Sequence, residues 1–352
     1  MNILMGKIMT DSDMIATGLG KFSKEKFNAL LDIRGIALGE FCNSLANKGY
    51  TQVTTSSLVN IAGSCENPYA SFTLNYYGRE AHLSQSAQLQ LEALVIRLKR
   101  GVFTVNNSFR EENYDDPEAK GRRLSEFTLI EPERPYEGIS PEKALDKIIK
   151  EEEEVIKQVT KKVLNKCPKQ LKLLGGNINY LKKITKTRFV KIGYDDAIKL
   201  LNRTKTKYAF GDDFGVAEER QILNEFNNVP TFVTYFPTEL KFFNMKRTAD
   251  GKRVYSVDLL MPKLGETIGG AIREENGNRI KQQLRNSKIA EFLQKKGQDV
   301  LTPFKEYFRL FEQEKPLLRG GYGIGFERYV GFLLNSNDIL DTITYRTLHP
   351  SQ

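Results

Sequence analysis

Residues 101–133 read GVFTVNNSFREENYDDPEAKGRRLSEFTLIEPE. Phe103, Val105 and Phe109 alternate with Thr104, Asn106, Ser108, Arg110 and Glu112, the period-two pattern of a strand that packs one face and keeps the other polar. A polar loop over 113–121 leads to Arg122, Arg123 and a second strand with Phe127 and Leu129 turned inward. The result is a hairpin with Arg110 in its floor and Arg122 and Arg123 on its loop. Guanidinium forks match phosphate oxygens, so such a hairpin could clamp a polyphosphate from both ends; a surface hairpin with ordinary ion pairs has the same pattern.

Two further segments carry chemistry. In RGGYGIGFERYVGFLL (319–334), Gly321, Gly323 and Gly325 share a strand face without side chains, while Tyr322, Ile324 and Phe326 share the other. A bare face admits a flat ring, and Arg328, at the start of the following helix, could cover it. The glycines fit neither a Walker A loop nor a dinucleotide-binding turn. In YSVDLLMPKLGETIGGAIREE (255–275), Asp258 and Glu266 flank a short turn, so two carboxylates could converge on a magnesium ion bridging phosphates. Glu266 and Arg273 are seven residues apart and fall on opposite faces of a regular strand unless Gly269-Gly270 inserts a bulge.

Around these segments the periodicity predicts a helix over 24–48, a strand over 50–55, and a second helix from Ser140, an N-cap followed by Pro141, to about Asn165. The run 151–154, EEEE, reads as a solvated helix face. From 164 to 207 the chain is Lys-rich, and with few aromatics interleaved it reads as a solvated insertion rather than a nucleic-acid patch. Strands joined by turns elsewhere give an α+β fold with a largely antiparallel sheet.

Composition bounds the chemistry. The 352 residues include 53 Lys and Arg against 44 Asp and Glu, a net charge of +9, with 40% hydrophobic residues, which allows a real core and excludes a disordered or fibrous chain. Three cysteines and two histidines are too few for a disulfide framework or a His-rich metal cage. Chemistry must rest on Arg, Lys, Asp and Glu. The first residues form neither a signal peptide nor a membrane span, so the expected location is the cytoplasm, with no membrane partner.

FREE followed by RRLSEFTLIEPE resembles motif 2 of the class II aminoacyl-tRNA synthetases, and GGYGIGFER resembles motif 3. SCEN (64–67), SQSAQLQLE (84–92), VDLLMPKLGETIGGAIREE and the EFTLIEPE ending are most similar, within that class, to asparaginyl-tRNA synthetase, over about residues 28–346. The resemblance implies a class II antiparallel sheet flanked by helices, usually in a homodimer. It divides the chain into an N-terminal extension (1–25) and a catalytic domain (26–352) with a helical, Lys-rich insertion over about 138–207.

The resemblance also implies roles. Arg110 grips the α-phosphate of ATP and Glu112 reads the adenine amino group; Arg122 or Arg123 reaches the terminal phosphates. Arg328 stacks on adenine over Gly323 and Gly325, and Glu266 with Asp258 holds Mg²⁺. Arg110, Arg328 and Glu266 are the catalytic set. For the amino acid, Glu66 receives the α-ammonium, Gln88 lines the pocket and Arg273 holds the side-chain oxygen. Related aspartyl enzymes place a lysine where Leu91 stands. With Leu91 there, and Glu92 next to it to repel a carboxylate, asparagine is expected over aspartate.

Three departures qualify the resemblance. Only about 25 residues precede the core, too few for the anticodon-binding OB-fold of these synthetases. Ser56 stands where motif 1 normally has a proline. The loop between Arg110 and Arg122 is several residues longer than expected, and Arg319 replaces a common histidine. The expected function is therefore an ATP-dependent ligase that activates asparagine, or less readily aspartate, and transfers it to a non-tRNA nucleophile such as an amine or ammonia, as archaeal asparagine-synthetase-related proteins do. A tRNA ligase lacking its own anticodon-binding domain is the alternative. A catalytically silent regulatory paralogue is a third, which retention of Arg110, Glu112, Glu266 and Arg328 opposes.

Overall fold

The computed structural model describes residues 22–61, 67–113, 121–203 and 206–344. In chain order the helices are α1 (Lys24–Asn47), α2 (Gln88–Leu98), α3 (Pro141–Lys166), α4 (Pro168–Leu173), α5 (Ile178–Ile184), α6 (Tyr194–Leu201), α7 (Val216–Glu225), α8 (Gly277–Arg285), α9 (Lys288–Lys295), α10 (Lys305–Gln313) and α11 (Phe326–Leu334). The strands are β1 (Thr51–Gln52), β2 (Leu58–Val59), β3 (Thr73–Tyr76), β4 (Arg79–Leu83), β5 (Val102–Phe109), β6 (Glu126–Pro135), β7 (Val190–Gly193), β8 (Thr231–Thr234), β9 (Ser256–Met261), β10 (Gly265–Arg273) and β11 (Arg319–Gly325).

The main sheet runs β1-β5-β6-β11-β10-β9-β8-β7. From β5 to β8 every neighbouring pair is antiparallel, and a parallel partner closes each end, β1 on β5 and β7 on β8. The strand expected over 50–55 shortens to β1, although Val53 still donates its N–H to the Phe103 carbonyl at 2.8 Å. Ser56 donates its N–H to Gln90 Oε1 at 2.9 Å, a bond that a proline at this position could not make. A small sheet, β2-β4-β3, lies apart from the main one.

Helices α1 and α3 start at serine N-caps, Ser23 and Ser140, and pack on each other. On α1, Leu30, Ile33, Ala37, Phe41 and Leu45 are fully buried at helical spacing; burying each large apolar side chain contributes about 1.5–3 kcal/mol. Leu145, Ile148, Val155, Ile156 and Val159 do the same on α3, which lies beneath β9, β10 and β11. The α11 helix joins this layer, with Tyr329 edge-on to Phe41 at 4.9 Å between ring centres.

The acidic run on α3 is not a uniformly solvated face. Four consecutive helical residues sit 100° apart and span about 300° of arc, so an apolar stripe about 100° wide must take in one of them, and it is Glu152. Its side chain is fully buried and neither carboxylate oxygen has a hydrogen-bond partner. Glu151 accepts from Tyr50 Oη at 2.6 Å and Tyr322 Oη at 3.1 Å and pairs with Arg134 at 3.1 Å; Glu154 stays exposed. Residues 138–207, read above as an insertion, supply α3 to α6 and also β7, the edge strand of the main sheet. Lys166, Lys169, Lys172, Lys182, Lys183 and Lys186 are all exposed. No helix of the described residues is long and apolar enough to cross a membrane.

Candidate active site

Strand register dictates which side chains share the sheet face opposite α3. Glu133 pairs with Gly321, which pairs with Ala271; Gly323 pairs with Gly269, which pairs with Asp258. Side chains alternate across a strand, so Glu131, Glu133, Asp258 and Arg273 project to the face on which Gly269, Gly321 and Gly323 are bare. A cavity of about 900 Å³ opens over this floor. Tyr322, Ile324 and Phe326 are buried on the other side.

At one end of the cavity, Arg110, Glu112, Arg123 and Arg328 come together. Glu112 sits between two arginines: its Oε2 accepts from Arg123 Nη1 at 3.3 Å, and its Oε1 lies 4.0 Å from Arg110 Nε. The Arg110 guanidinium lies 5.9 Å from the centre of the Phe127 ring. Arg328 Nη1 donates to the Glu266 carbonyl. Burial pulls the Arg328 guanidinium below its ordinary value, and the positive charges of Arg122 and Arg110 add to that pull against Glu266 and Glu219. Gly323 and Gly325 line the same end; a Cβ on Gly323 would come no closer than 3.7 Å to another atom.

Arg122 is already engaged elsewhere: its Nη2 donates to Glu219 Oε2 at 2.7 Å and to the Leu264 carbonyl at 2.9 Å. Of the two loop arginines expected on the terminal phosphates, Arg123 is the more exposed.

Asp258 and Glu266 converge. A Cβ on Gly269 would lie 3.1 Å from Glu266 Oε1 and 3.6 Å from Asp258 Oδ1. The bulge that lets Glu266 and Arg273 face the same cavity occurs between Glu266 and Ile268, not at Gly269-Gly270. Lys241 pairs with Asp258 Oδ2 at 2.5 Å. Burial raises the Asp258 carboxyl to about 7 against the pull of Lys241, and Glu266 adds to the rise. Among the described residues no group of three His, Cys, Asp or Glu could form a metal cage. Two hard oxygen donors on the wall of the open cavity nevertheless fit magnesium, which takes one or two carboxylates and completes its shell with phosphate oxygens and water.

At the opposite end, Arg273 is buried against Glu133, with Nη2 to Oε2 at 3.1 Å and Nε to Oε1 at 3.2 Å. Nη2 also donates to the Gly321 carbonyl at 3.3 Å, and Nη1 has no partner. Burial pushes the Glu133 carboxyl up to about 7 against the pull of Arg273. Gln88 and Leu91 line the cavity. Glu66 lies outside the described residues, although its neighbour Asn67 is fixed by Gln85, whose Nε2 donates to the Asn67 carbonyl at 2.7 Å.

Glu92 sits elsewhere. It is fully buried and off the cavity wall, accepting from Arg319 Nε at 2.9 Å, Tyr307 Oη at 3.0 Å, Gln88 Nε2 at 3.3 Å and Asn244 Nδ2. The carboxylate beside Arg273 is Glu133, which sequence reading passed over. Its signal was present: Glu131 and Glu133 alternate toward the polar face at the end of β6, opposite a glycine. Lys241 and Glu219 were also missed, for neither carries a local pattern that betrays it.

The family described as tRNA synthetases class II (D, K and N) matches residues 17–348. The asparagine–tRNA ligase of Pyrococcus abyssi is 31% identical over 92% of this chain and 68% of its own length. The cytoplasmic asparagine–tRNA ligase of Dictyostelium discoideum is 32% identical over 91% of this chain but 46% of its own, and the probable one of Schizosaccharomyces pombe 33% identical over 51% of its own. The chain thus spans about half the length of these last two curated relatives. Among solved structures, the asparaginyl-tRNA synthetase of Pyrococcus horikoshii, complexed with asparaginyl-adenylate, superposes with a TM-score of 0.79 at 29% identity, covering 92% of this chain and 70% of that one.

Proposed function

The chain belongs to the class II tRNA synthetases of the D, K and N group, and from that premise we propose that it joins ATP and asparagine into an aminoacyl-adenylate. The observation that carries the reading is the gathering of positive charge: Arg110, Arg123 and Arg328 line the cavity's bare-glycine end, and the charge of Arg110 disfavours the ionised form of Arg328. A polyanion relieves that repulsion. Arg110 stabilises charge on the α-phosphate as the amino-acid carboxylate attacks it in line and pyrophosphate leaves, while Arg328 covers the adenine over Gly323 and Gly325; positioning plus electrostatics suffice for such a transfer. Glu112 aligns Arg110 and Arg123 and offers an acceptor to an exocyclic amine. Asp258 and Glu266 would hold magnesium, which when bound neutralises phosphate charge.

Asparagine is favoured by the charge balance at the other end. Arg273 is already matched by Glu133, and Leu91 adds no cation. The unpartnered Nη1 suits a carboxamide oxygen, whereas an aspartate carboxylate would bring a buried charge without a counter-ion, at a cost of several kcal/mol. ATP–pyrophosphate exchange over a panel of amino acids tests this: asparagine should support exchange at least about tenfold better than aspartate. Preference for aspartate would overturn the side-chain reading, and no exchange with any amino acid would overturn the activity.

Transfer to a non-tRNA nucleophile, expected from the sequence, finds no support in the relatives, which are named asparagine–tRNA ligases. Nothing in the cavity geometry selects tRNA over an amine either. Supplying the purified protein with tRNA-Asn in one reaction and ammonia or hydroxylamine in another separates the two acceptors. Sedimentation tests the homodimer that the family implies.

A further inference from the structure

Three consecutive backbone carbonyls, from the end of the β9–β10 turn into the start of β10, are held by side chains. Arg122 Nη2 donates to Leu264 O at 2.9 Å, Thr267 Oγ1 to Gly265 O at 3.0 Å, and Arg328 Nη1 to Glu266 O. Gly265 has φ +79°, and a Cβ there would fall 1.8 Å from Glu219 Oε2 and 2.3 Å from Arg122 Nη2. The Arg122–Glu219 pair therefore lies directly against the backbone next to Glu266. Both side chains are about nine-tenths buried, and Glu219 comes from α7, remote in sequence from the loop that carries Arg122. Gly121, the residue before Arg122, accepts the Ile339 N–H at 2.7 Å, and Leu124 packs with Leu264 and Ile339.

We propose that Glu219 and Arg122 are positioning residues that fix the turn carrying Glu266, leaving the terminal phosphates to Arg123. The inference deepens the proposed function and rests on its reading of Glu266 as a magnesium carboxylate. An arginine that spans a carboxylate and a carbonyl is spent on the protein. Removing Glu219 frees Arg122, releases the Leu264 carbonyl and lets the Glu266 backbone shift.

The test is Mn²⁺ titration of the full chain, followed by electron paramagnetic resonance in the presence of a non-hydrolysable ATP analogue, together with hydrogen exchange over residues 263–268. E219A and R122M should weaken Mn²⁺ binding by roughly 10–100-fold, as loss of an outer support of a metal ligand typically does. E219Q should lose less, because its amide oxygen still accepts from Arg122. Analogue binding without metal should stay within about twofold of wild type, and exchange over the turn should accelerate in E219A. R122K keeps the charge without the fork and replaces R122M if that variant does not fold; its Mn²⁺ affinity should fall as well. Weakened metal-free nucleotide binding in R122M, as large as its loss of Mn²⁺ affinity, would make Arg122 a phosphate ligand and overturn the proposal. Unchanged Mn²⁺ affinity and exchange in E219A would overturn it too. A wild type that binds no Mn²⁺ removes the metal reading instead, and hydrogen exchange alone then decides whether Glu219 fixes the turn.

Discussion

Arg319 and Glu92 form an ion pair from which both side chains are wholly excluded from solvent. Tyr307 and Asn244 complete the carboxylate's hydrogen bonds, and Arg319 Nη1 reaches the Glu274 and Leu317 carbonyls at 3.2 and 3.3 Å. Breaking such a pair on one side strands a buried charge. Arg319→Met should therefore cost about 3–5 kcal/mol of stability, and a double replacement, Arg319→Met with Glu92→Leu, should recover most of it. Urea unfolding measures both. A double variant as unstable as the single would show that the pair's worth lies in its neighbours' hydrogen bonds, not in its charge.

The two arginines at the proposed nucleotide end have a different signature. Arg110 and Arg328 are only part-buried, so Arg110→Ala and Arg328→Ala should leave the fold standing while lowering ATP–pyrophosphate exchange about a hundredfold or more, the typical loss when a charge-assisted contact to developing or delocalised charge is removed. Circular dichroism and the exchange assay, run on the same preparations, decide it. Normal exchange in both variants would remove them from the catalytic set.

Gly321 and Gly323 separate structural from functional need on one strand. A Cβ at Gly321 would fall 2.1 Å from Glu133 Oε2 and 2.2 Å from the Pro132 carbonyl, so Gly321→Ala should destabilise by about 1–3 kcal/mol and displace Glu133 from Arg273. A Cβ at Gly323 meets nothing within ordinary contact except Glu131, so Gly323→Ala should change stability by less than about 0.5 kcal/mol. It should still raise the KM for ATP, because the added methyl stands where a ring would lie. Equal thermal shifts in the two variants would contradict the register on which the cavity floor is built.

Glu152 predicts a pH dependence of unusual sign. Burial, with the negative charges of Asp258 and Glu151, holds its carboxyl well above the ordinary value of 4.5. The folded protein then keeps a proton that the unfolded chain gives up, so this group makes stability fall as pH rises from about 4.5 upward, until the folded carboxyl ionises too. Glu152→Gln should flatten that fall and stabilise the protein at pH 8 far more than at pH 5. Melting temperatures across this range give the slope, and identical slopes in wild type and variant would show that Glu152 does not carry it.

Much of this site was legible because strand alternation is local. The spacing in residues 101–133 puts Arg110 and Glu112 on the polar face of their strand, and that in 319–334 puts Gly323 on a bare face with Arg328 just beyond it, without any knowledge of the fold. Glu266 and Arg273 needed a bulge, which the sequence could suggest but not locate, since it occurs at Thr267, away from the glycines. Charges that cancel across distant elements left no trace: nothing near Glu92 announces Arg319, and nothing near Arg122 announces Glu219. A run of glutamates looks solvated until the helix beneath it is turned toward the sheet, as Glu152 shows. Local pattern reveals faces, and only the assembled sheet reveals which ions neutralise one another.

Pro135 of β6 and Arg319 of β11 are register partners, although all of β7 to β10 is translated between them. The strand that bears the bare glycines is thus not added at a border but slotted into the middle, between β6 and β10. Until it arrives the nascent chain presents two half-sheets, each with an unpaired rim ready to join another copy. A chain cut before residue 319 would hold Arg110 and Asp258 without the bare-glycine strand, and its two open rims would favour aggregation. The cavity floor is accordingly closed by the last strand of the main sheet to be made.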